Sequence, residues 1–224
     1  MGVKTGRPRS FDRNQALERA ISVFWEYGYE ATSIAMLTKA LGIGAPSLYN
    51  AFGDKRELFL EALDRYLATY AAFATAALEQ EPRGYDALAR LLREAAASYT
   101  RPDQPAGCLL ISAATNCSPQ SAQVSEHVRS LRIAGRAALE AKLTTAKDGG
   151  ELPDDCDVQA LASFYAATLQ GMSAQARDGA TQADLLGIAT TALAAWPVPV
   201  STRRSPAPRA SSGRGSGRSR RSAG

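Results

Sequence analysis

"LGIGAPSLYNAFGDKRELF", residues 41–59, is the stretch on which the reading of the whole chain turns. Gly42 can take a positive φ without a Cβ penalty, which suits a tight turn. Leu48 and Phe52 stand four apart, the spacing of one helix face, over a short segment from about Ala45 to Phe52. Asp54 is placed to cap a new helix behind it. The stretch therefore looks like the second half of a helix-turn-helix followed by another helix. Yet no Lys or Arg lies between Gly42 and Gly53, so a polyanion would have to be gripped from elsewhere.

Working outward, the pattern is helical almost throughout. Asp12 is an N-cap for a first helix with Leu17, Ala20, Ile21 and Phe24 on one face, and Gly28 is its expected stop. Thr32 or Ser33 caps a second helix that points Ile34, Leu37 and Leu41 inward. Behind Asp54 the spacing predicts one long helix with Leu58, Ala62, Tyr66 and Tyr70 on its face and Phe73 beside it. After the breaker "EQEPRGY" a helix is expected from Tyr85 to Tyr99, and after "RPDQPAG" a shorter one from Cys108 to Asn116. Ser118 and Pro119 form an N-cap and N1 pair for a long helix closing at Gly149 and Gly150. Asp154 or Asp155 opens the next, through Arg177, and Thr181 opens the last, through Trp196. No period-2 strand competes, so the expected fold class is all-α, with about nine helices.

Charge divides the chain into three parts. Residues 1–60 carry eight Lys/Arg against six Asp/Glu, residues 61–200 eleven against sixteen, and residues 201–224 seven arginines and no acid. Only the two ends suit a phosphate backbone. The Ser/Arg/Pro/Gly tail from 198 has too few apolar residues to fold and is expected to be disordered. Cys108, Cys117 and Cys156 make an odd count without metal-ligand spacing, and His127 is the single histidine. A disulfide framework, a metal site and a cofactor are therefore not expected. No run approaches the roughly 18 apolar residues of a membrane span, and no signal segment opens the chain, so a cytoplasmic protein without a membrane partner is expected.

Three short helices from Asp12 to Phe52 provide the parts of a helix-turn-helix in order. Spacing alone does not separate a DNA-reading unit from a small bundle inside an ordinary helical protein. The linked motifs do more. Aromatic Phe24 before Gly28–Tyr29, then Thr32–Ser33, then "ALGI", "SLYNAF", and Lys55 with Glu57–Leu58 closely resemble the N-terminal domain of the TetR (tetracycline-repressor) family of bacterial transcriptional regulators. The C-terminal half is similar in helix order, in "GELPDD" and in "QGMSAQARDGAT".

The resemblance implies a three-helix DNA-binding domain over residues 11–56, its helix-turn-helix at about 33–52, behind a basic arm at 1–10. A larger helical ligand-binding and dimerisation domain would follow over 57–197, and the tail over 198–224. It further implies that Thr32 and Ser33 touch phosphate through hydroxyl and N–H groups, that Tyr49 places its hydroxyl on a phosphate, and that Lys55 neutralises another. Ala45, Pro46, Ser47 and Asn50 would face base edges, with Asn50 suited to adenine and Ala45 and Pro46 to a thymine methyl. Many relatives carry a cation where this chain has Ala45. Arg7 and Arg9, in an extended basic stretch, are placed to compensate by entering a narrow minor groove.

For the rest of the chain the resemblance implies an unknown small-molecule effector held between helices, and a homodimer through the segments 156–178 and 181–196. That dimer would read a palindromic double-stranded operator. Tyr66, Tyr70, Tyr99 and Tyr165 could line an apolar pocket, and a plain core explains them equally. Cys108, near the start of a short helix, is a candidate sensor because a helix dipole lowers a thiol's pKa. His127 is read as a pocket or surface residue. The leading expectation is a repressor released from its operator by a small molecule or by thiol oxidation. The alternative is a weakly specific architectural DNA binder dominated by the Arg-rich tail. An enzyme built on Cys108 lacks a base and an orienting group, so no catalysis is expected.

Overall fold

The computed structural model describes residues 11–114 and 116–199. Arg7, Arg9 and the Arg-rich tail lie outside the described residues. Among those described there are ten α-helices and no strand.

Helix α1 spans Arg13–Ala31, and the Asp12 carboxylate accepts from the N–H groups of Asn14 and Gln15. Gly28 interrupts it (φ 74°, ψ 173°) rather than ending it. The chain makes one further turn, and the interruption lets the Tyr29 N–H donate to Ala113 O at 2.8 Å. Helix α2 covers Ile34–Leu41 and is capped by the Ser33 hydroxyl, which accepts from the Met36 N–H. Gly42 closes it in the left-handed region (φ 69°). Helix α3, Ala45–Phe52, buries Leu48 and Phe52 as its spacing predicts. Helix α4, Lys55–Ala68, opens on a reciprocal capping box between Asp54 and Glu57.

The single long helix expected here is two helices. α4 ends at Ala68, the N–H groups of Thr69 and Ala71 both return to Tyr66 O, and α5 runs over Ala72–Gln80. No Gly or Pro marks this break. It is held from outside, by the edges of Tyr66 and Tyr70 against Trp25 and by the Tyr70 hydroxyl donating to Glu18 at 3.0 Å.

Helix α6, Gly84–Tyr99, is the central one, with Leu88, Leu92 and Ala95 fully buried. Helix α7 is only Leu109–Ser112, shorter than the expected 108–116. A 3-10 turn at Pro119–Ser121 leads into the long α8, Ala122–Asp148. Helix α9, Val158–Arg177, is capped by Asp157 and not by Asp154 or Asp155. Those two sit in the turn closed by the Cys156 N–H on Pro153 O. Helix α10, Gln182–Ala194, opens on a Thr181–Asp184 capping box.

Aromatic Phe24, Tyr29 and Phe59 lock α1 to α4 with centroids 5.0–6.3 Å apart. Each such fully buried side chain contributes roughly 1.5–3 kcal/mol. On the outside of the same seam Arg13 holds Glu61 through two hydrogen bonds of 2.5 and 2.6 Å. No helix among the described residues is long and apolar enough to cross a membrane.

Candidate functional site

The surface made by the turn and α3 follows from the helix's own periodicity. Burying Leu48 and Phe52 turns Pro46, Tyr49 and Asn50 outward, with Ala45 and Ser47 half-buried at the edge. Tyr49 is 48% exposed, and its ring stands on the surface next to Asn50. Ser33, at the start of α2, is exposed as well.

Two expected partners of this surface sit deeper. Thr32 is 1% exposed and its hydroxyl donates to Gly28 O at 2.6 Å. The hydroxyl expected on phosphate is thus spent on closing α1 behind Gly28, and Ser33 alone keeps an outward one. Lys55 is half-buried. Its Nζ donates to Thr32 O at 2.7 Å and stands 4.3 Å from the centre of the Tyr29 ring. Burial pulls its pKa below the usual lysine range, with Glu30 opposing.

Behind this surface the N-terminal helices are fastened to the rest of the chain at four points. The Tyr29 N–H meets Ala113 O just after α7. Arg177, at the end of α9, donates to Trp25 O and Glu26 O at 3.1 and 3.0 Å. Arg56 donates to the Gln123 side chain at 2.8 Å. Hydrogen bonds from Ser118 and Ser121, at the entry to α8, hold the Glu30 carboxyl below its usual range. The sequence reading missed this joint, and its one visible signal was Gly28. A Cβ there would come within 3.2 Å of Ala113 O, at a positive φ.

Above the joint lies a cavity of about 380 Å³ between α4, α5, α6, α7, α8 and α9. Leu67, Phe73, Leu78, Leu131, Leu139 and Leu169 form most of its wall, and Arg132, Arg136 and Glu79 are the charged residues on it. Tyr66, Tyr99 and Cys108 also line it. The Tyr66 hydroxyl donates to Cys108 Sγ at 3.3 Å and accepts from the Leu109 N–H. Burial, and then the neighbouring Cys108, holds both tyrosine hydroxyls well above their usual range.

Burial also pushes the Cys108 thiol up, against hydrogen bonds that pull it down. The sensor expectation rested on the opposite shift. A four-residue α7 inside a closed core offers too little dipole to offset desolvation. Tyr70 is outside this lining, on Glu18. Tyr165 is core, its hydroxyl donating to Ala192 O at 3.2 Å between α9 and α10, its pKa pushed up to about 12 by burial. His127 is half-exposed on α8 and away from the lining. Arg132 and Arg136 were not anticipated, because two arginines four apart on a long helix read as a solvated face. Among the described residues no three His, Cys, Asp or Glu side chains gather as metal ligands would.

The outer face of α9 and α10 is apolar and low in bulk. On α9 Phe164 is 42% exposed and Ala167, Gly171 and Ala174 are exposed, and on α10 Gly187 and Ala194 are exposed. A Cβ built on Gly171 or Gly187 meets nothing within 4 Å.

Comparison with known proteins gives a consistent result. Residues 16–62 match the family described as bacterial regulatory proteins, tetR family, and residues 84–185 match the tetracyclin repressor-like C-terminal domain. The HTH-type transcriptional repressor ComR of Escherichia coli (strain K12) is 42% identical over 193 residues, 86% of this chain and 92% of ComR. The HTH-type transcriptional repressor BdcR of the same organism is 33% identical over 174 residues, 78% of this chain and 83% of BdcR. Among solved structures, a cysteine mutant of the TetR family regulator CifR, complexed with 26 bp double-strand operator DNA, is similar at TM-score 0.82 and 41% identity. It covers 86% of this chain and 100% of that one.

Proposed function

The chain belongs to the TetR family of bacterial regulatory proteins, and on that premise we propose that it is a repressor that binds a palindromic DNA operator as a homodimer and leaves it when a small molecule enters the cavity. The observation that carries this reading is the shared use of α7. Leu110 and Ile111 line the cavity, and Ala113, one residue past the helix, holds the Tyr29 N–H. A ligand that displaces α7 acts directly on the joint that orients the N-terminal helices.

The grip and the reading are divided between residues. Tyr49, Ser33, Lys55 and the Arg7/Arg9 arm hold phosphates, with Lys55 keeping donors beyond the one it gives to Thr32 O. Asn50 and Ser47 read base edges beside the apolar Ala45 and Pro46. The two copies meet across α9 and α10, where the small exposed residues allow backbones to approach closely. The CifR structure, with operator DNA bound, supports a double-stranded DNA partner for a chain of this sequence. Thiol oxidation at Cys108 is the less favoured trigger, because burial raises that thiol's pKa and so disfavours the reactive thiolate. The family is non-enzymatic.

Selection of duplexes from a random pool by the full chain tests this reading. Enrichment of an inverted repeat, with base preference at one position per half-site relaxed in Asn50→Ala, is the expected result. Enrichment of no repeat would overturn it.

A further inference from the structure

We propose that the cavity takes an amphipathic organic anion, an apolar body whose carboxylate or other oxyanion is paired by Arg132 and Arg136. The inference rests on the reading of the cavity as the effector site and adds the chemistry of its ligand.

The wall is aliphatic and aromatic, which sets the body of the ligand. Arg132 and Arg136, four residues apart on α8 and both half-buried, belong to this wall. A guanidinium beside apolar surface is unfavourable unless its charge is answered. Six arginines, Arg13, Arg65, Arg83, Arg90, Arg101 and Arg129, pair with a carboxylate, and others are answered by neutral acceptors, Arg177 by two carbonyls and Arg56 by the Gln123 side chain. Among the described residues neither Arg132 nor Arg136 has a carboxylate partner. Arg132 donates to Leu110 O at 3.3 Å, and Arg136 to the Ser163 hydroxyl at 3.5 Å. A guanidinium carries five N–H donors in a planar fork, so most of each fork stays open.

A planar, two-oxygen anion is the acceptor that fits such a fork. Glu79 is the one acid on the lining and is exposed, so cations are disfavoured there. The volume of about 380 Å³ sits near the lower end of small-molecule sites, roughly 300–1,000 Å³, which points to a compact ligand.

The same pairing supplies a trigger. The Arg132 bond to Leu110 O ties α8 to α7. An oxyanion that engages Arg132 competes with that carbonyl and frees α7, whose following residue Ala113 holds Tyr29.

Calorimetric titration of the full chain with octanoate, octan-1-ol and octylamine, which share one apolar body, tests the proposal. Octanoate is expected to bind at least about tenfold more tightly than the other two. In Arg132→Gln/Arg136→Gln it falls to the affinity of octan-1-ol, while octan-1-ol binding changes by less than about threefold; operator affinity falls as well, because the Arg132 bond to Leu110 O is lost with the side chain. Arg132→Lys/Arg136→Lys keeps part of the preference and guards against a variant that only unfolds. No octanoate binding, no preference for it, or a preference that survives in the glutamine variant would overturn the proposal. Adding the same ligands to the operator complex separates the two readings. Release by octan-1-ol as readily as by octanoate keeps the effector cavity and removes the anion. Octanoate that binds through the arginines without releasing DNA keeps the anion site and removes the effector role.

Discussion

The Lys55 ammonium donates to the carbonyl of Thr32 at 2.7 Å, so the first residue of α4 is fastened to the end of α1. In the proposed reading one cation thereby serves both the fold and the DNA-facing surface. Lys55→Gln is expected to lower stability by about 1 kcal/mol, since a half-exposed charged hydrogen bond is lost. It should also weaken binding to all duplexes alike and reduce the salt slope by about one. Urea unfolding and affinity at several salt concentrations check this. A stability loss with an unchanged salt slope would assign Lys55 to the fold alone.

Gly28 stands at φ 74° with Ala113 O where a side chain would begin. Gly28→Ala is expected to cost about 1–3 kcal/mol from the backbone alone, because φ 74° with ψ 173° is a region open essentially to glycine only. Because the Tyr29–Ala113 bond is disturbed too, operator affinity should fall more than in a variant of equal stability elsewhere in α1. Paired urea and DNA titrations measure both quantities.

Cys108 gives a pH dependence with a definite sign. Its folded pKa is raised above that of the unfolded chain, so its contribution is fully present below about pH 8.5. That contribution is lost as pH rises through the folded value. Stability should therefore decline on the alkaline side of about pH 8.5, and the decline should be shallower in Cys108→Ser. Tyr66 and Tyr99 are shifted the same way and extend the loss to higher pH. The urea midpoint at a series of pH values tests this, and a midpoint that rises with pH in that window contradicts it.

Gly187 lies on the outer face of α10 with open space around it. Gly187→Trp should leave the monomer folded, with an unchanged helical circular dichroism spectrum. If the proposed dimer forms through this face, sedimentation should show a dimer for the parent chain and a monomer for the variant, and operator binding should weaken steeply because two half-sites no longer share one particle. A dimer of parental strength in this variant would move the interface elsewhere.

What the sequence made legible was local. The caps at Asp12, Ser33, Asp54 and Thr181 are side chains that satisfy N–H groups two or three residues away, so their positions are written in the residues themselves. The buried pair Leu48 and Phe52 follows from helical spacing, and with it the outward set of Tyr49 and Asn50. What stayed hidden depends on partners far along the chain. The break after Ala68 is imposed by Trp25 and Glu18, more than forty residues earlier. Thr32 and Ser33 are neighbouring hydroxyls whose opposite fates depend on where the Gly28 carbonyl points. Tyr66 and Tyr99 do line the cavity, but Tyr70 and Tyr165 have the same apolar spacing and do not. Arg132 and Arg136 look like solvent-facing cations until α7 is laid beside them.

The most direct test of DNA reading by the uncharged α3 surface is the discrimination between the selected operator and a scrambled duplex. It is measured for the full chain and for the chain ending at residue 200. If Ser47, Tyr49 and Asn50 read and grip the operator, removing the seven arginines of the tail lowers both affinities and leaves their ratio unchanged within about threefold. A ratio that collapses toward one on truncation would show that specificity lies in the tail, and would contradict the assignment of reading to α3.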